Sequence, residues 1–216
     1  MNNEDWRSGR WSHRLALIVM LIVCPAPQGS HALAAGEDVV AEAPSFKVGD
    51  EWHWVGGAYP TYVRVIALQG EGSVVESNLD LWCREGCRYV RDKNGIAVSG
   101  TNKKGEPAYV TGLRTLDFPL KIGKEWTQDI DLRLVSDGTI RPFSNRWKIE
   151  AFEEVVVKAG TFKAFRMSWY QENRGSYRWN GNATLWWSPE IKAFVKRVVH
   201  TTGWGSDWEL ASFVLK

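Results

Sequence analysis

Apolar and polar positions alternate with a period of two through most of this chain. In 73–82, Val75, Leu79 and Leu81 alternate with Glu76, Asn78 and Asp80. Trp126, Gln128, Ile130, Leu132 and Leu134 share one face of a second stretch. In a third, Trp147, Ile149 and Ala151 alternate with Arg146, Lys148 and Glu150. In a fourth, Phe165, Met167 and Trp169 lie opposite Arg166, Ser168 and Tyr170. This is the side-chain spacing of strands with one face on a core and the other in water. Further strands are predicted at 51–55, 61–68, 183–187, 193–201 and 207–215. No segment carries the i, i+3, i+4, i+7 apolar spacing of an amphipathic helix. Glycine, proline and Asn-Gly breakers separate the runs, and Lys93-Asn94-Gly95 reads as a hairpin turn between 89–92 and 96–98. The expected fold class is all-β: an antiparallel meander forming an open or incomplete barrel, or two curved sheets.

A repeated motif adds internal organisation. Phe46-Lys47-Val48-Gly49-Asp50-Glu51-Trp52 is echoed by Leu120-Lys121-Ile122-Gly123-Lys124-Glu125-Trp126. Each copy reads as a glycine turn feeding a strand that begins with a large buried aromatic. The echo predicts a single β domain over 46–216, built from two related halves of about 46–112 and 113–216. Residues 99–115 read as the connection between them, with at most a short strand at Tyr109-Val110.

The first 34 residues carry a different pattern. Arg7, Arg10 and Arg14 precede the apolar run 15–24, and Ala32-Leu33-Ala34 supplies a small-x-small site. These are the parts of a secretory signal peptide over 1–34, with a flexible lead-in over 35–45. The apolar run is shorter than the about 20 residues of a membrane span. The protein after cleavage is therefore expected to be periplasmic or secreted and not integral to the membrane. Leu21-Ile22-Val23-Cys24 resembles a lipoprotein-processing site with Val23 where a small residue is usual, so a lipid anchor at Cys24 is the secondary reading.

Loss of Cys24 would leave Cys83 and Cys87 as the two cysteines of an oxidising compartment. Three residues separate them, including Gly86, which fits a hairpin tip closed by a disulfide. The spacing is not that of a redox Cys-x-x-Cys, and no histidine lies nearby to complete a metal site.

Three motifs, in order, carry a resemblance. They are 118–126 (Phe-Pro-Leu-Lys-Ile-Gly-Lys-Glu-Trp), Val157-Lys158-Ala159-Gly160-Thr161-Phe162-Lys163-Ala164-Phe165, and Trp186-Trp187-Ser188-Pro189-Glu190 with Val195-Lys196-Arg197. Together with the closing Glu209-Leu210-Ala211-Ser212-Phe213, the series resembles the TapB-like proteins, a family of uncharacterised exported bacterial β-proteins, and related domains of unknown function. The resemblance covers roughly 46–216 and is strongest from 116 onward. Lys158 stands where the family usually has proline. The resemblance implies an exported antiparallel β domain and supplies no catalytic residues.

Charge and chemistry narrow the function without naming it. The 27 Lys and Arg nearly balance the 25 Asp and Glu, and a nucleic-acid partner would call for a basic excess. His53 and His200 follow the expected cleavage point singly, each reading as a structural or solvent-facing strand residue. No cofactor or metal motif is present. Glu153 and Glu154 are adjacent, so a strand would point them to opposite faces. The unusual feature is 13 Trp. Trp52, Trp126, Trp147 and Trp169 read as inward-facing core, whereas Trp54, Trp179, Trp186, Trp204 and Trp208 are the ligand-binding candidates. The expected function is non-enzymatic: an exported β domain that binds an apolar or amphipathic envelope component (lipid, glycan or extended peptide) through a Trp-lined surface. An envelope glycan or peptide hydrolase is the alternative, and a structural component of a secretion or surface assembly the third.

Overall fold

The computed structural model describes residues 39–57, 60–78, 83, 85–107, 112–133, 140–176, 178–203 and 205–216. The expected leader with Cys24, the strand residues Leu79, Leu81, Trp82, Tyr109, Val110 and Leu134, and the candidate Trp204 lie outside them.

Among the described residues the first half forms β1 (Val40–Ala41), β2 (Glu51–Val55), β3 (Thr61–Gln69), β4 (Gly72–Ser77), β5 (Cys87–Arg91) and β6 (Ala97–Asn102). Then come β7 (Leu120–Lys121), β8 (Glu125–Arg133), β9 (Ile140–Val157), β10 (Gly160–Asn173), β11 (Asn180–Ser188), β12 (Ala193–Val199) and β13 (Trp208–Val214). Eleven of these make one antiparallel sheet in the order β6-β5-β4-β3-β2-β13-β12-β11-β10-β9-β8. Two meanders, β2–β6 and β8–β13, are joined where β13 pairs with β2, placing Phe213 opposite Trp52. β6 and β8 stay at the two edges, so the sheet is open and the fold is an all-β meander without barrel closure. β1 and β7 pair separately, Ala41 opposite Leu120, which holds part of the lead-in in the fold.

The repeated motif is a repeat of backbone geometry. Gly49 and Gly123 both have positive φ, 92° and 83°, a conformation that costs glycine no Cβ clash. Gly49 N–H donates to Val65 O, Asp50 N–H to Lys47 O, and Val65 N–H to Asp50 O. The second copy repeats all three bonds: Gly123 to Ile149 O, Lys124 to Lys121 O, and Ile149 to Lys124 O. Each turn therefore locks its own strand to the next one. Trp52 then faces Val63, and Trp126 faces Trp147.

Two hydrophobic clusters form the core. Trp52, Val63, Val65, Val75, Tyr89, Val195 and Leu210 belong to one. Leu120, Trp126, Trp147, Ile149, Met167 and Trp187 belong to the other. The long β9–β10 hairpin serves both. Val155, Val157, Phe162 and Ala164 enter the first cluster, whereas Phe165 and Met167 enter the second. Ala164 and Phe165 are adjacent yet both fully buried. The register slips close by, with Arg166 opposite Ala151 and Met167 opposite Ile149, so Glu150 is the extra residue of a bulge. A bulge of this kind bends the strands and re-aims their side chains.

Two local expectations change. The strand predicted over 73–82 stops at Ser77, because the Asn78 side chain takes over the pairing: its Oδ1 accepts Tyr62 N–H at 2.7 Å and its Nδ2 donates to Pro60 O. Cys87 consequently lies opposite Ser77, not Cys83. The Cys83–Cys87 disulfide, with Cα atoms 5.3 Å apart, closes a turn within the connecting loop rather than cross-linking paired strands. The Asn94-Gly95 turn is also longer than the two-residue form. Asp92 and Ile96 close it, and Asp92 Oδ1 accepts the N–H groups of Asn94 and Ile96.

Candidate functional site

Three adjacent strands set a tryptophan ladder. Trp126, Trp147 and Trp169 are register partners across β8, β9 and β10. Their rings stack nearly parallel, 5.9 Å apart for Trp126–Trp147 and 4.8 Å for Trp147–Trp169. Trp169 Nε1–H donates to Asn145 Oδ1 and Trp126 Nε1–H to Arg114 O. The Trp147 indole N–H, in the middle of the stack, is buried without a partner.

A second group of indoles comes from the junction of the two meanders. Trp52 and Trp54 share the inward face of β2, and both are buried. Their Nε1–H groups reach across the interior to Ile191 O and Phe194 O, each at 2.7 Å. Trp208, at the start of β13, meets Trp54 edge-on at 6.1 Å. Its ring also carries the Arg197 guanidinium at 5.8 Å.

Between the two groups lies a cavity of about 360 Å³, in the range of small-molecule pockets. Trp52, Trp54, Trp147, Trp169, Trp187 and Trp208 line it. Leu116 and Phe118 border it from the loop before β7, and Pro44 and Phe46 from the segment before β2. Of the candidates read from sequence, Trp54 and Trp208 are thus at the cavity. Trp186 is not among its walls: it donates to Glu153 Oε1 at 2.9 Å and lies under Lys196. Trp179 packs on Phe143 and lines a separate depression with Pro142 and Gly175. Trp52, Trp147 and Trp169, read as core, are at once core and cavity wall, and Trp187 was assigned to neither group.

Three cations reach the cavity: Arg91, Lys192 and Arg197. Lys192 Nζ is engaged with Asp50 at 3.3 Å. Arg197 donates from Nε and Nη2 to Ser206 O, and burial lowers its pKa from the ordinary guanidinium value. Arg91 differs. Counting by two from Cys87 and Tyr89 along β5 puts it on the inward face, opposite the buried Ser73. Burial draws its guanidinium down to about 10, while the residue keeps partial accessibility. Both fit a side chain packed round by protein and open to the cavity. Among the described residues no carboxylate or other acceptor is bonded to it. The signal was available in the sequence, since a charge at a core-facing strand position is more informative than any exposed hydrophobe.

No Asp, Glu, His, Ser or Cys among the described residues lines the cavity. His53 joins Glu51 and Arg64 in a surface network, and His200 meets Thr184 Oγ1. Glu153 pairs with Arg166, and its neighbour Glu154 is exposed. Among the described residues no three His, Cys, Asp or Glu converge as metal ligands. No helix there is long and apolar enough to cross a membrane.

No family model matches the chain, and no curated protein does. Among solved structures, it is similar to a candidate lipoprotein from Parabacteroides distasonis at 12% identity and a TM-score of 0.49, over 81% of this chain and 99% of that one. It is also similar to the hypothetical lipoprotein YmcC of Escherichia coli at 12% identity and a TM-score of 0.46, over 80% of this chain and 89% of that one. A third is a candidate exported protein with a YmcC-like fold from Bacteroides fragilis, at 11% identity and a TM-score of 0.41, over 81% and 99% of the two chains. None of these descriptions names the TapB-like family. Likeness of this degree carries no inference about what this chain does.

Proposed function

We propose that this chain is an exported, non-enzymatic binding protein that takes an apolar or amphipathic envelope component into the Trp-lined cavity. The cavity is the observation that carries the reading. Six indoles supply a large apolar surface with rigid geometry, and two of them, Trp52 and Trp54, spend their N–H on the protein's own carbonyls. What the six chiefly offer a ligand is ring area, suited to hydrocarbon. This favours a lipid-like occupant over a neutral glycan, whose hydroxyls would need more acceptors and donors than these walls offer. Export rests on the basic-apolar-small leader pattern of 1–34.

A hydrolase would need a nucleophile or paired carboxylates facing the substrate. The described walls set Arg91, Lys192, Arg197, Asn94 and Thr115 among indoles, a lining suited to holding a ligand. Intrinsic tryptophan fluorescence tests the proposal directly. Titration with medium-chain alkyl ligands is expected to give a saturable intensity change or shift. A flat response across alkyl and glycan panels would remove the reading.

A further inference from the structure

Resting on that binding role, we infer that the occupant is an anionic amphiphile with a single hydrocarbon chain, whose acid group pairs with Arg91 while the chain lies among the indoles. A cation set beside apolar walls without a counter-ion is costlier than one in bulk water, and proteins ordinarily pair it or leave it fully solvated. Here Lys192 has Asp50, and Arg197 has Ser206 O and the face of Trp208. Only Arg91, of the three cations at the cavity, has no bonded acceptor among the described residues. Its position is specified by the sheet. Ser73 faces it across β4 and Tyr89 is the next residue on its own face of β5, both are buried, and neither is an anion. Asn94 and Gly95 of the following turn border the same end of the cavity.

Guanidinium offers a planar fork that matches the two oxygens of a carboxylate or the oxygens of a phosphate monoester. In the low-dielectric interior such a pair is stronger than at the surface. The apolar walls select the other end of the ligand. A volume of about 360 Å³ suits one chain better than the bulk of a diacyl lipid. The cavity therefore reads as two-ended, with an acid-binding end at Arg91 and a hydrocarbon-binding region at the tryptophans.

The test uses the full mature chain and three ten-carbon probes: decanoate, decanol and decyltrimethylammonium. Tryptophan fluorescence and calorimetry give each Kd at pH 7.5, below micellar concentrations. Decanoate is expected to bind at least about tenfold tighter than decanol, the size of one charge-assisted hydrogen-bonded pair, with the cation weakest. In Arg91→Met the decanoate-to-decanol ratio should fall to about one. Arg91→Lys, which keeps the charge without the fork, should fall between. Equal binding of decanoate and decanol by the wild type overturns the inference, as does a folded Arg91→Met that keeps the preference. If Arg91→Met does not fold, an unchanged ratio in Arg91→Lys overturns it as well. Failure of all three probes to bind would instead remove the cavity-binding role itself, a different outcome from binding without acid preference.

Discussion

Asp50 is fully buried, yet it is held as a carboxylate by three donors. It accepts the N–H of Lys47 and of Lys216, each at 2.9 Å, and the Lys192 ammonium at 3.3 Å. Burial alone would raise its pKa, but the hydrogen bonds from Lys216, Lys47 and Lys192 outweigh it, so the value lies below the usual 3.8. Because the folded pKa is depressed, the stabilisation is present above pH 3.8 and is lost as pH falls through the lower folded value. Glu51, held below its usual 4.5 by the hydrogen bond from Arg64 against an opposing burial effect, adds to the same acid limb. Asp50→Ala is expected to cost roughly 3 kcal/mol, because it leaves two part-buried N–H groups and an ammonium without their acceptor. Urea unfolding at pH 7 would measure that loss. Urea midpoints followed below pH 4 should show a shallower acid loss for Asp50→Asn than for the wild type. The role of Asp50 was only partly legible. The repeated motif marked its turn and the Lys47 donor within it, but the other two donors come from positions 142 and 166 residues away along the chain.

At the scale of elements, the tryptophan ladder and the disulfide turn make contrasting contributions. Trp147 sits between two parallel indoles and is 2% exposed. Trp147→Ala is expected to cost about 3–5 kcal/mol, the range for emptying a large aromatic site. Trp147→Phe should cost less, on the order of 1–2 kcal/mol, since it keeps a stacked ring and removes an N–H that has no partner. Chemical denaturation of the two variants checks both the size and the order. The Cys83–Cys87 link closes a loop of only a few residues, so its loss should cost about 2 kcal/mol by chain entropy. A Cys83→Ser, Cys87→Ser double variant should remain folded by circular dichroism and keep its ligand affinity, since neither cysteine lines the cavity. Lost affinity in that variant would mean the loop shapes the cavity after all. Strand positions were readable from period-two patterning, whereas strand ends were not. Asn78 ends β4 through its side chain, which an alternation of apolar and polar residues does not report.

At the scale of the molecule, the cavity is walled by both meanders, by β2, β3 and β5 of one and β9–β13 of the other. Apolar space is left there that side chains do not fill. Ala193 is 9% exposed and borders that space from β12. Ala193→Phe should occupy part of it, weakening alkyl-ligand affinity by about tenfold or more, while Tm stays level or rises because an apolar void is filled. A variant that folds with raised Tm and undiminished binding would place the ligand elsewhere.

The sequence by itself determined the all-β class, the repeated glycine turns and the inward parity of most tryptophans. Those follow from local rules: period-two burial, φ freedom at glycine, and the preference of large aromatics for one strand face. It also held the inward position of Arg91, two residues beyond Tyr89 and four beyond Cys87. Only the tertiary structure decided which tryptophans meet. Trp126, Trp147 and Trp169 form a stack through register, and Trp54 and Trp208 join across the seam of the two meanders. The same tertiary structure separated Arg91 from any bonded acceptor among the described residues and set it at the cavity. The reason is physical: side-chain parity is a property of one strand, whereas register, sheet closure and the pairing of charges depend on strands distant in the chain.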